Sequence, residues 1–297
     1  MERMERPWAG LMELAARRDV WKLVEAVGGV ERAGLAGVDT WVAAGLSPSR
    51  AVELLRREWE GEALTPTRAD WPERLNRLPG GPIALQLEGN RALLGRRGVA
   101  VVGARACTAY GRQQAREIAS AVASAGGVVI SGMAAGIDAE AHLAAGGDTI
   151  AVLGQGLRAG MAQWQQRLRA QILERGGLVV SEFPPGQVAD RWTFPVRNRV
   201  IAALAEVVVV VEAAAQSGTR GTVQHALQYG RDVLAVPGPI GAVASVGCLQ
   251  LIADGAGLVM GPQTVLDAAG LAPWRPSRYE AADRSAYAPL FAPTSRT

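Results

Sequence analysis

The chain has 297 residues, enough for one large domain and a smaller one with ample core. It is 49% hydrophobic, yet apolar runs such as Val207 to Val211 are strand-sized and far below the ~18 residues of a membrane span. A net charge of +3, from 31 basic and 28 acidic residues spread evenly, excludes a polybasic arm, so nucleic-acid affinity would need a local cluster.

In chain order, residues 1–6 mix acids with bases and no apolar segment follows, so no export signal is expected. Cys107 and Cys248 are too few for a disulfide scaffold or a metal cluster, and a cytoplasmic location is expected. Lys22 is the only lysine; the arginine bias is what a GC-rich genome produces, although guanidinium groups also suit phosphate. Apolar spacing predicts short helices over residues 8 to about 60, broken at Gly28-Gly29. Among them are Asp39 to Ala44 and Pro48 to Glu58, the latter with Ser47 as N-cap. This 1–65 region reads as a small helical domain, of sterile-alpha-motif or helix-hairpin-helix type or simply a packing module. Residues 66–97 read as a connector, in which Ile83 to Leu87 could add an edge strand.

From residue 98 to 261 strands and helices alternate. Strands are predicted at Val99–Val102, Val128–Ile130, Thr149–Leu153, Leu178–Val180, Val207–Val211 and Val233–Val236, and more weakly at Leu258–Val259. The helices between them are expected at about Gly111–Ala125, Ala162–Glu174, Asn198–Ala203, Thr222–Tyr229 and Gly247–Asp254. The fold class is α/β: an extended Rossmann-like, mostly parallel sheet with helices on both faces, preceded by the small all-helical domain. The pattern fades after Gly261, and 262–297 reads as a loosely packed or disordered tail without a winged helix.

Ligands of such sheets sit beyond the carboxyl ends of the strands, where this sequence places small residues. Three clusters stand there. Gly103, Ala104 and Arg105 end the first strand, with Gly111 opening a helix whose N-terminus would suit a phosphate. Ser131 and Gly132 end the second. Arg197, Asn198 and Arg199 are expected to flank a helix start after Pro195, one arginine reaching a ligand and the other pairing with a carboxylate such as Glu212 or Asp138. Ser217, Gly218 and Thr219 lead into a further helix. The dinucleotide fingerprint Gly-x-Gly-x-x-Gly is absent, so no nucleotide cofactor is expected, and no metal. Ser131, Asp138 and His142 could be drawn as a triad, but the four-residue spacing of Asp138 and His142 reads as a local structural bond. Trp192, Phe194 and Tyr110 are the aromatics placed for base stacking, with a core role equally open.

Taken together these motifs resemble the DNA-processing protein A family (DprA, also called Smf). The matching segments are residues 99–105, 130–138 with His142, 149–157, 181–186, 194–201, 217–219 and 236–238. The resemblance implies an extended Rossmann-like fold without cofactor or catalysis, which binds single-stranded DNA, dimerises, and loads the RecA recombinase during natural transformation. By it, Gly103, Arg105, Ser131, Gly132, Arg197, Asn198 and Arg199 would line a DNA-backbone pocket. The pairing surface would fall near Gly247 to Gly255, with Cys248, Leu249, Leu251 and Ile252 as its contacts. Two departures stand out. Arg158 and Ala159-Gly160-Met161 occupy a region where Tyr-Pro is usual, and Arg220 stands where an apolar residue is usual. One competing reading is a nucleotide 5′-monophosphate phosphoribohydrolase of the lysine-decarboxylase-like kind, but His225 falls where its catalytic Glu would be. Another is a scaffold that recruits recombinase with a silent pocket.

Overall fold

The computed structural model describes residues 21–56, 63–76 and 81–273, together with residues 8, 10, 11 and 78. Four short helices open it: α1 (Trp21–Ala26), α2 (Val30–Leu35), α3 (Val38–Ala43) and α4 (Pro48–Arg56). The Gly28-Gly29 break separates α1 from α2, both glycines at positive φ, and the Ser47 hydroxyl accepts the Arg50 amide at 3.4 Å as the N-cap of α4. These helices bury Leu23, Val24, Trp41 and Leu54 in a core of their own, which Ala63, Ile83 and Ala84 of the connector close.

The connector contributes β1 (Ala63–Leu64) and β2 (Leu85–Gly89), then the chain enters the α/β region. Its elements are β3 (Gly98–Val102), α5 (Ala109–Ser124), β4 (Val128–Ser131), α6 (Ile137–Ala145), β5 (Thr149–Leu153), α7 (Gln163–Glu174) and β6 (Leu178–Ser181). Next come α8 (Thr193–Leu204), β7 (Val207–Val210), α9 (Thr219–Gln228), β8 (Asp232–Ala235), α10 (Val246–Ala253), β9 (Gly257–Leu258) and α11 (Pro262–Ala269). One nine-stranded sheet runs β1-β2-β6-β5-β4-β3-β7-β8-β9, parallel from β6 to β9, with β2 antiparallel to β6 and β1 antiparallel to β2. The strand expected at 83–87 therefore lies two residues later and is interior, between β1 and β6.

The central strands read as unbroken valine runs because both faces are covered. In β3, Val99 and Val101 face the layer of α5, α6 and α11, whereas Ala100 and Val102 face that of α8, α9 and α10. In β7, Val207 and Val209 against Val208 and Val210 repeat the alternation. Each such side chain, fully buried, contributes roughly 1.5–3 kcal/mol. The chain builds β3 to β6 outward in one direction, then crosses back so that β7 pairs with β3 on its other side. That reversal opens a crevice beyond the carboxyl ends of β3 and β7.

Two expectations need correction here. The region after Gly261 does not lose structure at once: Pro262–Ala269 forms α11, which buries Val265 and Leu266 against α5 and the sheet and ends in Gly270 at φ 62°. Residues 274–297 of the expected tail lie outside the described residues. The helix expected at Asn198 starts five residues earlier, at Thr193. Pro195 is tolerated in its first turn, where a backbone donor has no intrahelical partner anyway.

Candidate functional site

The crevice holds a hollow of about 750 Å³. Val102 to Ala106 line it from the end of β3, Ala214 and Gln216 to Thr219 from the end of β7, and Phe194, Pro195, Arg197 and Asn198 from α8. Asp138 lies on its floor, and Val243 and Ala244 close it from the loop after β8. Of the residues expected to share a site, the structure brings together Gly103, Ala104, Arg105, Arg197, Asn198, Ser217, Gly218 and Thr219. Ser131, Gly132 and Arg199 do not line it.

Each exclusion has a physical cause. Ser131 is fully buried, and its hydroxyl donates to the Val101 carbonyl at 2.7 Å. Gly132 is needed because a guanidinium packs on it: a Cβ there would sit 2.6 Å from the Arg197 guanidinium. Arg199 turns the other way and pairs with Glu182 at 2.5 Å, a carboxylate other than the two expected, while Asp138 feels Arg197 instead. The same Glu182 oxygen accepts the Ile83 amide at 3.4 Å, tying the end of β6 to the connector. Burial pushes the Glu182 carboxyl above its ordinary range, and Arg199 opposes that shift.

Several amides placed to meet a phosphate are already occupied: those of Thr108 and Gly111 at the start of α5, of Gly132 and Ala134 in the turn after β4, and of Thr219 and Arg220 at the start of α9, on the Ser217 hydroxyl at 3.3 Å and carbonyl at 3.1 Å. Glu212, buried just past β7, accepts the Thr108 amide at 2.9 Å and the Thr108 hydroxyl at 2.5 Å, and the Thr108 oxygen accepts Gly111 N–H at 3.1 Å. Thr108 thus caps α5, and an internal carboxylate holds that cap in place. The turn after β4, strained at Met133 with φ 53°, curls its Gly132 and Ala134 amides onto Asp138 Oδ2 at 3.1 and 3.3 Å. Burial raises the Asp138 pKa, with Arg197 and those two amides pulling the other way. Arg197 is only 5% exposed and donates to the carbonyls of Gly132, at 2.6 Å, and Val152. Burial lowers its pKa to about 10, Asp138 opposing the shift and Arg105 adding to it. Arg197 therefore shapes the floor and lends its charge from beneath.

Two groups face the opening. Arg105 is exposed, its guanidinium lying over the Phe194 ring at 5.3 Å from the centroid, a cation–π contact that holds the side chain across the hollow. Opposite, α9 begins at Thr219, its entry fixed by a Thr219–Ser217 hydroxyl contact of 2.9 Å and by Asn198 Nδ2 donating to the Gly218 carbonyl at 3.3 Å. A ten-residue helix presents a partial positive charge there. Arg220 points to the Ala215 carbonyl at 3.4 Å and is not among the lining residues.

His142 is a packed core residue. Thr149 gives its hydroxyl proton to the Val129 carbonyl at 2.8 Å, so His142 Nδ1 must donate to Thr149 Oγ1 at 2.7 Å, which fixes the neutral tautomer. Burial, then Arg197, lowers its pKa to about 3. Ser131 lies beside Asp138, but His142 bonds Thr149 through Nδ1 and has no hydrogen-bond partner at Nε2, so the three form no triad and the expected Asp138–His142 bond is not made. His225 stacks on Tyr229 at 6.0 Å, half-buried on α9. Sequence reasoning missed Glu212 as the brace of the Thr108 cap of α5 and Val243 and Ala244 as a wall, since only the β3–β7 pairing and the β8 loop bring them in.

The model of the DNA recombination-mediator protein A family matches residues 62–270. The chain belongs to this family. Protein Smf of Escherichia coli K12 is 43% identical over 200 residues, 66% of this chain and 54% of that protein. The DNA processing protein DprA of Streptococcus pneumoniae R6 is 41% identical over 199 residues, 66% of this chain and 70% of that one. The X-ray structure of the pneumococcal protein superposes with a TM-score of 0.77 at 32% identity, covering 88% of this chain and 97% of that one. DNA processing protein A of Helicobacter pylori, whose structure addresses its single-stranded DNA binding mode, gives 0.64 at 26% identity over 70% of this chain and 95% of that one. The chain spans about half the length of the Escherichia coli and Synechocystis Smf proteins, 54% in each case. The fold and family expected from the motifs agree with these findings. Among the described residues no helix is long and apolar enough to cross a membrane.

Proposed function

We propose that the hollow between β3 and β7 grips the sugar-phosphate chain of single-stranded DNA, and that the protein passes this DNA to a RecA-type recombinase without catalysing a reaction. The observation that carries the reading is the exposed Arg105 guanidinium, held over Phe194 and facing the start of α9 across one hollow. A phosphate between them would meet a charged planar donor on one side and a helix N-terminus on the other. Flexible single strands can lower a phosphate into such a concavity where a duplex cannot. Gly103, Ala104, Asn198, Ser217, Gly218 and Thr219 shape the cradle, Arg197 and Gly132 support it from below, and Ser131 and Arg199 take no direct part. The family's role in recombination mediation and the single-stranded DNA binding of the Helicobacter relative support the same reading.

A homodimer through α10 is part of this proposal, with Leu249, Leu251 and Ile252 half-buried on that helix. Cys248 does not belong to such a surface: its thiol is buried, donates to the Val210 carbonyl at 3.6 Å, and has its pKa raised to about 11 by burial. The test is a titration of single-stranded against duplex DNA, followed by recombinase loading onto strands precoated with a single-strand-binding protein. Preference for the single strand, lost in Arg105→Ala together with loading, supports the reading. Equal affinity for both DNA forms overturns it.

A further inference from the structure

We propose that Trp192 is a base-stacking platform that receives the nucleotide next to the one gripped in the hollow. The inference rests on the single-stranded DNA reading above and adds a contact to the base, where that reading addresses the backbone. Trp8 and Trp41 are fully buried and Trp71 nearly so, whereas Trp192 keeps 38% of its surface open at the start of α8. It stands two residues before Phe194, a separation of at most ~7 Å along the chain, at the start of the helix that lines the hollow.

The mount is rigid. Thr193 is buried; its amide and its hydroxyl both donate to the Asp190 carbonyl, at 3.1 and 2.8 Å, and the Asp190 amide returns a bond to the Thr193 hydroxyl at 3.0 Å. The Arg191 amide donates to the Asp190 carboxylate at 2.5 Å, so that acid is engaged within its own turn. The indole meets the buried Phe183 ring edge-to-face, centroids 5.8 Å apart at 76°. Phe183 is itself pinned, its amide on the Ser181 hydroxyl at 3.0 Å and its carbonyl on Gln86 at 3.0 Å. A large aromatic surface already fixed in one orientation loses little freedom when a base lands on it. Exposed Arg191 beside it supplies a cation where the neighbouring phosphate would pass. Because every base has a π-face, the platform would accept any sequence.

The experiment compares an oligothymidylate with an abasic oligomer of equal length, using wild type, Trp192→Leu, Trp192→Phe and Arg105→Ala. Trp192→Leu keeps an apolar cover on Phe183 but has no π-face. It is expected to bind the oligothymidylate about 5-fold or more weakly while matching wild type on the abasic strand. Trp192→Phe should stay near wild type, and Arg105→Ala should lose affinity for both strands. Equal affinities of Trp192→Leu and wild type for the oligothymidylate, or an equal loss on both strands, overturn the platform and leave the backbone reading intact. A wild type that binds neither strand overturns both. Fluorescence gives a check that does not depend on the leucine variant folding: wild type should quench more than Trp192→Phe when the oligothymidylate binds, and equal quenching sinks the platform.

Discussion

Helix α8 serves two regions that share its arginines and differ in what those arginines do. On the hollow side, Arg197 is locked to the Gly132 and Val152 carbonyls above Asp138, and leaves the exposed chemistry to Arg105. At the joint with the connector, Arg199 neutralises a buried carboxylate that also holds the Ile83 amide. Three guanidinium groups that look alike in a motif thus divide into a floor, a fastener and a hand. The difference teaches that burial and prior partners, more than residue type, decide which cation can meet a ligand.

The sharpest way to break the comparison is Arg197→Ala. It strips the cation from the buried Asp138 and the donors from two strand-end carbonyls, and should cost roughly 3–5 kcal/mol of stability. A thermal melt checks this; an unchanged melt with weakened DNA binding would move Arg197 from the floor to the grip. Arg199→Ala should cost somewhat less, about 2–4 kcal/mol, since 11% of its side chain is open to solvent. DNA affinity of the folded protein should not change, and an Arg199→Met/Glu182→Gln double variant should recover most of the loss in denaturant titrations.

Arg105→Ala is the mirror case: stability within about 0.5 kcal/mol of wild type, but a binding loss of about 1.5–3 kcal/mol. With one phosphate contact gone, the slope of log affinity against log salt should fall by about 0.7. An unchanged slope measured by anisotropy would remove Arg105 from the phosphate.

A separate test concerns pH. The folded-state pKa of His142 is lowered to about 3 from 6.5, so its contribution to stability is complete above pH 6.5 and lost as pH falls toward 3. The slope is up to about 1.4 kcal/mol per pH unit. Asp138 and Glu182, raised by burial, act in the opposite sense: their contributions are present at low pH and fade as pH rises past the ordinary carboxylate range. Comparing the acid melts of wild type and His142→Gln isolates the histidine, whose removal should flatten the decline between pH 6 and pH 3. Identical slopes would mean that His142 is not held neutral by the fold.

Much of this protein could be read along the chain. Unbroken runs such as Val207–Val210, closed by small residues and separated by helix-length polar segments, dictate a parallel sheet covered on both faces, because only burial on both sides makes alternate polar residues unnecessary. The small residues at the strand tips likewise marked the end of the sheet at which the hollow opens. Only the tertiary structure decided which groups there remain available. Glu212 could be recognised as the brace of the Thr108 cap of α5 only once β7 was seen to pair with β3, and Asp138 as the acceptor for Gly132 and Ala134 only once the strained turn at Met133 had folded over it. Pro262–Ala269 carries its own start and stop signals, a Pro in the first turn and Gly270 after the last, and it buries Val265 and Leu266 against α5 and the sheet, so here the chain was more legible than its fading strand pattern suggested. Local periodicity is set by neighbours in sequence, and so it is legible. Which amide or cation is already satisfied depends on partners that can lie 104 residues away, as Thr108 and Glu212 show, and only packing brings them together.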